Sequence, residues 1–168
     1  IEMDDVGRPL LFLHIEKTAG TAVYKHLMNR FPADKFLDRV HQQELREKDP
    51  SHYEFVRGHI DFGYVARFQC RPMILTILRD PLERTLSAIS YFAAWSKPTL
   101  VETPVSRFRE FVQKLPLLEV LDREPELAKQ VLSNLQTRTL LAARPTGDPA
   151  ANSEAWLTEA RNHLSQCD

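Results

Sequence analysis

The residues best suited to chemistry stand in one short run, EKTAGT, at residues 16–21. Its lysine supplies a mobile charge suited to phosphate or sulfate oxygens, its threonines supply hydroxyls, and its glycine permits positive φ or close approach of a ligand. The candidate binding residues are Lys17, Thr18, Ala19, Gly20 and Thr21. An ordinary turn with an exposed lysine is an equally good interpretation of this run alone.

A second suggestive run is LRDPLERTLS at residues 78–87. Arg79 follows an apolar stretch and is the fork-shaped donor expected opposite a terminal phosphate. Ser87 falls about two turns into the following helix. Taken singly, Arg79 is better explained by a salt bridge and Ser87 by a solvated helix position. Their combination with Lys17 favours a common anion site.

These residues need elements to position them. Apolar runs predict buried strands at Leu10–Ile15, Tyr53–Arg57 and Met73–Leu78. Helices are predicted from Thr21, Pro81, Pro104, Pro125 and Ser153, with Asp80 as a cap and residues 143–152 as a loop. In the helix at Pro81, the predicted buried stripe is Leu82, Leu86 and Ile89.

Strands that feed helices predict an α/β fold, with one parallel sheet flanked by helices. A parallel strand that leads into a helix places the intervening loop at the carboxyl edge of the sheet, where backbone N–H groups converge on an anion. The site is P-loop-like, but Lys17 precedes the only glycine of its run, so the run is not a Walker A loop. A kinase or other nucleotide-binding enzyme of similar shape is the alternative prediction.

Composition limits the class of protein. A length of 168 residues with 43% hydrophobic residues predicts a single domain over residues 1–168. The 22 Lys and Arg residues nearly balance the 23 Asp and Glu residues, so we expect no nucleic-acid partner. Apolar runs are too short to span a bilayer. Two cysteines without zinc-type spacing indicate neither a disulfide framework nor a metal, and favour a reducing compartment.

The two runs also carry a resemblance to a known family. FLHIEKTAGT (residues 12–21) resembles the 5′-phosphosulfate-binding motif of sulfotransferases that use 3′-phosphoadenosine 5′-phosphosulfate (PAPS). LRDPLERTLSAISYF (residues 78–92) resembles their 3′-phosphate-binding motif. Both, with NLQTRTLLA at residues 134–142, are similar to the carbohydrate branch that includes heparan sulfate 2-O-sulfotransferase. Glu16 stands where that branch usually has proline.

The resemblance implies a reaction and assigns roles. PAPS would donate a sulfuryl group to a hydroxyl of a carbohydrate or glycoconjugate, without a metal. Lys17 would stabilise the departing phosphate, and the amides of residues 18–21 with the two Thr hydroxyls would hold the 5′-phosphate. Arg79 and Ser87 would hold the 3′-phosphate.

A base for the acceptor hydroxyl is also needed. His59, in RGHIDFG at residues 57–63, is the candidate, because its pKa suits proton transfer near neutrality and related enzymes use a histidine in this region. A structural histidine bonded within a turn is an equally good interpretation. Asp61 could orient His59, and Glu16 is a reserve base.

Other residues are weaker candidates. His14 reads as a core histidine bonded to backbone. Aromatic residues of the helix at Pro81 could stack on adenine or sugar but are more often core; they are Tyr91, Phe92 and Trp95. Basic residues elsewhere could bind an anionic acceptor, but solvated surface charge is the default interpretation; they are Arg57, Arg67, Arg71 and Lys97.

Some expectations concern the whole protein. Family members continue past the last helix, so the domain at residues 1–168 could lack its natural C-terminal segment and part of its acceptor site; the sequence does not predict whether the natural chain extends beyond residue 168. An inactive relative that still binds PAPS is therefore the third hypothesis. A bacterial cytoplasmic location is favoured, with the Golgi lumen as the location of a eukaryotic relative. The oligomeric state and the acceptor are not predicted.

Overall fold

A computed structural model describes residues 7–41, 48–96, 102–143 and 153–167. Contacts divide the chain into two compact units, the first being Ile1–Leu78 with Gln136–Asp168 and the second Arg79–Leu135. Each unit has its own buried cluster of apolar side chains. That these units form the single domain predicted from chain length stays a prediction.

The described elements follow one another in a simple order. They are β1 (Leu10–Leu13), α1 (Gly20–Met28), β2 (Phe36–His41), β3 (Phe55–His59), β4 (Met73–Thr76), α2 (Pro81–Ala93), α3 (Pro104–Lys114), α4 (Leu117–Arg123), α5 (Pro125–Leu132), α6 (Leu135–Thr139) and α7 (Ser153–Leu164). Short 3-10 helices occupy Ala33–Lys35, Pro50–His52 and Phe62–Arg67. Within the described ranges, no helix combines the length and apolarity needed to cross a membrane.

The sheet belongs to the first unit, and its four strands run parallel in the order β2-β3-β1-β4. β1 lies between β3 and β4, so that Leu11 pairs with Val56 on one side and Ile74 on the other. All three side chains are buried, which is why these strands read as continuous apolar runs. This sheet and its helices confirm the predicted α/β fold. The sequence FLDRVH of β2 mixes charged and apolar residues and was not predicted as a strand.

The apolar core of the first unit fills the space around the sheet. Its buried members come from all four strands and from the segment that follows β3. They are Leu11, Leu13, Leu37, Val56, Ile60, Phe62, Tyr64 and Ile74. Because β1 and β3 are anchored in this core, the loops that leave their carboxyl ends start from fixed positions.

Helix starts agree with the sequence signals. Asp80 caps α2 by accepting a hydrogen bond from the Glu83 amide at 2.9 Å, and Thr103 forms a capping box with Ser106 at the start of α3. Helices α5 and α7 begin at the predicted Pro125 and Ser153, and α1 begins one residue before the predicted position. The predicted loop at residues 143–152 lies outside the described residues except for Ala143.

The predicted buried stripe of α2 is wrong. Leu82 and Leu86 are 67% and 52% exposed, whereas Arg84, Ala88 and Phe92 are buried. Both sets have helical spacing, but the second set includes Arg84, whose guanidinium donates to the Leu132 carbonyl at 3.0 Å. A buried arginine satisfied by a helix carbonyl cannot be anticipated from hydrophobic periodicity, because the pattern scores arginine as a surface residue.

Candidate functional site

The site lies where β1 and β3 end side by side. Their pairing continues to the last residues, with Leu13 opposite Gly58 and the His14 amide donating to the Gly58 carbonyl at 3.0 Å. β1 leads into the loop at residues 14–19 and then into α1, and β3 ends at His59. The two candidate catalytic residues, Lys17 and His59, therefore follow neighbouring strands at the same edge of the sheet, as predicted for a parallel pair.

The backbone of this loop has an unusual shape. Lys17 and Ala19 have φ of 68° and 66°, on either side of Thr18, whose φ is not positive. Left-handed backbone costs an L-residue about 1–2 kcal/mol, so the core around the loop must hold this shape. Left-handed residues in a short loop can turn successive N–H groups toward one point, which makes a concavity suited to an anion. Ala19 also has no side-chain oxygen with which to cap the first turn of α1.

Thr18 and Gly20 have structural roles that the sequence alone did not reveal. Thr18 is buried, and its hydroxyl donates to the Ile15 carbonyl at 2.9 Å. That proton is not available to a phosphate in this arrangement, so the backbone amide is what Thr18 can offer. Positive φ occurs at Lys17 and Ala19 rather than at Gly20, where a Cβ would overlap the His14 ring. Glycine is needed there because the imidazole packs directly on the start of α1.

His59 is held by the loop that it faces. Its Nδ1 lies 2.8 Å from the His14 carbonyl oxygen. A carbonyl only accepts, so Nδ1 carries the proton, and in the neutral imidazole Nε2 carries the lone pair. Nε2 lies 3.9 Å from Oε1 of Glu16, and the His59 side chain is 30% exposed. The residue therefore presents a basic nitrogen at an accessible edge, with a carboxylate beside it.

A buried polar network lies behind His59. Arg57 donates to His14 Nδ1 at 3.0 Å through one terminal nitrogen and to Asp38 Oδ1 at 3.0 Å through the other. Tyr24 donates its hydroxyl to the second oxygen of Asp38 at 3.0 Å, and its ring lies 3.9 Å from the Arg57 guanidinium carbon. The interpretation of Arg57 as solvated surface charge is wrong, because only 8% of the residue is exposed.

One signal for this network was present in the sequence. Arg57 falls inside the predicted strand Tyr53–Arg57, and a charge in a buried strand requires a partner. Its partners Asp38 and Tyr24 were missed because β2 was not predicted and because pairing across strands leaves no local pattern.

His14 is kept neutral by its surroundings. Burial, the facing imidazole of His59 and the Arg57 guanidinium together lower the pKa of His14 to about 3. The His14 ring stacks on His59 with ring centres 4.7 Å apart. His14 was predicted to be a core histidine bonded to backbone; it is buried, and its ring nitrogen is bonded to Arg57 instead.

This lowered pKa predicts how stability depends on pH. The unfolded chain binds a proton at His14 near pH 6.5, whereas the folded chain binds it only near pH 3. The contribution of neutral His14 to the free energy of unfolding is therefore complete above pH 6.5 and is lost as the pH falls toward 3. Over that range, the free energy of unfolding should change by up to about 1.4 kcal/mol per pH unit. In urea titrations from pH 7 to 4, His14→Asn should flatten the pH dependence of unfolding free energy. His52→Asn is the control, because that side chain is 80% exposed. Equal slopes in the two variants would contradict the assignment.

The residues that follow His59 pack against two later segments, residues 141–142 and helix α7. The Phe62 amide donates to the Leu141 carbonyl at 3.1 Å, and the Phe62 ring stacks on His163 with ring centres 4.1 Å apart. A Cβ at Gly63 would overlap the Ala142 backbone. The NLQTRTLLA segment thus supports the turn after β3. His59 Nδ1 is bonded to the His14 carbonyl, and the orienting role of Asp61 stays a prediction.

Arg79 and Ser87 belong to the second unit. Arg79 immediately precedes the Asp80 cap of α2, and its Nε lies 3.3 Å from Oε2 of Glu83. This contact is the salt bridge that the sequence offered as the alternative to phosphate binding, although the Arg79 side chain is still 39% exposed. Ser87 is half-buried on α2.

Comparison with known proteins gives one informative match. No protein-family model and no solved structure match the chain. A protein-tyrosine sulfotransferase of Arabidopsis thaliana is 25% identical over 125 residues, which cover 69% of this chain and 24% of that protein. This chain is similar to a sulfotransferase. It spans about a quarter of that relative's length.

The structure brings together one part of the predicted site. In the first unit, the loop with Lys17 meets His59 through Glu16 and the His14 carbonyl. Thr21 is exposed on the first turn of α1. Among the described residues, no three His, Cys, Asp or Glu side chains are grouped so that they could hold a metal ion.

Proposed function

We propose that this chain is a PAPS-dependent sulfotransferase that transfers a sulfuryl group to a hydroxyl of a carbohydrate or glycoconjugate. The observation that carries the proposal is the 2.8 Å contact between His59 Nδ1 and the His14 carbonyl, which joins an imidazole base to the strained lysine loop. Similarity to a sulfotransferase and the two sequence motifs supply the reaction class. The cytoplasmic location stays a prediction.

The loop after β1 fits the phosphosulfate end of the donor. The alternating φ at residues 17–19 and the uncapped first turn of α1 offer backbone N–H groups to an anion. Lys17 adds the positive charge that a breaking S–O bond requires on its phosphate side. PAPS supplies the sulfuryl group and a good leaving group, so the task of these residues is to bind, orient and stabilise charge.

His59 is suited to take the proton of the acceptor. As the acceptor oxygen bonds to sulfur, the S–O bond to the 5′-phosphate breaks and the phosphate keeps the electron pair. The acceptor proton passes to His59 Nε2, since Nδ1 is already protonated. The resulting imidazolium is stabilised by Glu16, whose carboxylate lies 3.9 Å from Nε2. Glu16 therefore assists the base in this proposal instead of serving as one.

The acceptor defines a second candidate. A tyrosyl hydroxyl of a protein is favoured by one observation, the similarity to a protein named as a protein-tyrosine sulfotransferase. The carbohydrate acceptor is favoured by the motifs at residues 12–21 and 78–92. Both acceptors present a hydroxyl to the same base, so the chemistry at Lys17 and His59 is shared.

The first experiment is calorimetric titration of this chain with 3′-phosphoadenosine 5′-phosphate (PAP), with AMP and ATP as controls. We expect micromolar binding of PAP and at least about tenfold weaker binding of AMP, because the 3′-phosphate adds a charge-assisted contact. ATP binding that is strengthened by magnesium would instead support the kinase alternative. Transfer from radiolabelled PAPS to a desulfated glycosaminoglycan and to a tyrosine peptide then distinguishes the two acceptors. PAP binding without any transfer would favour the inactive relative.

Arg79 provides a separate prediction. We expect Arg79→Ala to weaken PAP binding by about 10–100-fold and to leave AMP binding unchanged, because one charged hydrogen-bonding group to the 3′-phosphate is lost. Arg107→Ala is the control, since Arg107 is an exposed arginine of the same unit and is also paired with a glutamate. Equal loss of PAP and AMP affinity in Arg79→Ala would contradict the role.

A further inference from the structure

The network behind His59 is built around a buried arginine that has two different partners. Arg57 lies in β3, two residues before His59, and its terminal nitrogens reach Asp38 on β2 and His14 after β1. Both oxygens of Asp38 are used, one by Arg57 and one by Tyr24. Arg57 Nε is buried without a hydrogen-bond partner. An unsatisfied buried donor is unfavourable, so the other contacts of Arg57 must offset its cost.

Arg57 decides the tautomer of His14. A guanidinium can only donate, so His14 Nδ1 must be the accepting nitrogen and Nε2 must carry the proton. Arginine also disfavours a second positive charge beside it, which agrees with the lowered pKa of His14. His14 is thus held as a neutral ring in one orientation, pressed against Gly20 and stacked on His59.

His14 in turn decides the tautomer of His59. Its backbone carbonyl accepts the Nδ1 proton of His59, and its ring limits the orientation of the His59 ring. A shift of His14 would move both the carbonyl and the stacking surface. Asp38, Arg57 and His14 therefore form a continuous chain of contacts that ends at Nδ1 of His59 and leaves Nε2 facing Glu16.

We propose that Arg57 and Asp38 are positioning residues, which act through His14 to keep His59 in the tautomer that presents Nε2 to the acceptor. The role in catalysis rests on the proposed function, whereas the effect on His59 does not. This role differs from simple stabilisation of the sheet, because an ion pair that only stabilised the sheet would leave the tautomer of His59 unchanged.

The test compares folded variants by nitrogen-15 NMR of the His59 ring at pH 8. The variants are Arg57→Met, which removes the donor, Arg57→Lys, which keeps a charge, and Asp38→Asn, which keeps the shape. Val56→Ala is the control, because it creates a cavity at a fully buried apolar position of the same strand and leaves the polar network intact. PAP affinity and the kcat and KM of transfer are measured on the same proteins.

Wild-type chain should show His59 protonated at Nδ1. In Arg57→Met, both tautomers of His59 should be populated. The kcat of transfer should fall about 10–100-fold, as it does when other orienting contacts are lost. PAP affinity and the KM for PAPS should be unchanged. Arg57→Lys should recover part of kcat, and Val56→Ala should lose stability only. An unchanged His59 tautomer in folded Arg57→Met would overturn the inference. If Arg57→Met does not fold, the same result in Asp38→Asn would overturn it. Failure of wild-type chain to bind PAP would count against the proposed function and not against this contact chain.

Discussion

Replacing Lys17 by alanine is expected to abolish detectable sulfuryl transfer, a fall of about 10³-fold in kcat. The departing 5′-phosphate gains negative charge as the S–O bond breaks, and Lys17 is the cationic side chain of the loop that the proposal places there. Because this charge develops only in the transition state, loss of the residue that stabilises it should lower kcat more than it weakens binding. PAP affinity should therefore fall far less than transfer.

The backbone of Lys17 allows a sharper version of this experiment. With φ of 68°, Lys17 stands in a conformation that glycine adopts without strain. Lys17→Gly should therefore raise the free energy of unfolding by roughly 0.5–1 kcal/mol while it removes activity. Lys17→Met retains most of the side-chain volume and tests the charge alone.

Lys25 supplies the matched control for the three substitutions of Lys17. It is an exposed lysine of α1, eight residues after Lys17, so Lys25→Ala removes the same charge from the same region. We expect near-normal transfer in that variant. Transfer by Lys17→Met at the rate of Lys25→Ala would show that Lys17 does not stabilise the leaving group.

Replacing His59 by asparagine is expected to lower kcat by about 10²–10⁴-fold without weakening PAP binding. The asparagine amide can still donate to the His14 carbonyl, so the contact that His59 Nδ1 makes is preserved while the basic Nε2 is lost. The variant therefore separates the catalytic role of His59 from its structural one. His59→Ala removes both, and its unfolding free energy should be the lower of the two.

The pH profile of transfer gives the second readout. An imidazole base accepts the acceptor proton only when it is neutral, so wild-type kcat should fall along the acidic limb of the profile. In His59→Asn this acidic limb should disappear. His52→Asn, at an exposed position, should keep the wild-type profile. An unchanged kcat in His59→Asn would remove His59 from the mechanism and leave the structural-histidine interpretation.

Local signals predicted much of the scaffold. The apolar runs at β1, β3 and β4 reported burial on both faces, and the Asp80 and Thr103 caps marked where helices begin. Such features depend on neighbours within a few residues, which is why the sequence alone reveals them. β2 escaped prediction because Asp38 and Arg39 interrupt its apolar pattern, and α2 turned a different face inward because Arg84 is satisfied in the interior.

The sequence by itself also placed Lys17 and His59 at the ends of strands, since a strand that feeds a loop can be read residue by residue. Only the tertiary structure decided what surrounds them. Gly20 is required by the packing of His14, the Thr18 hydroxyl is committed to Ile15, and Arg57 is buried between Asp38 and His14. His14 and Arg57 are 43 residues apart in the chain. They meet because β1 and β3 pair, and strand pairing is set by the burial of the whole sheet rather than by any local run of residues.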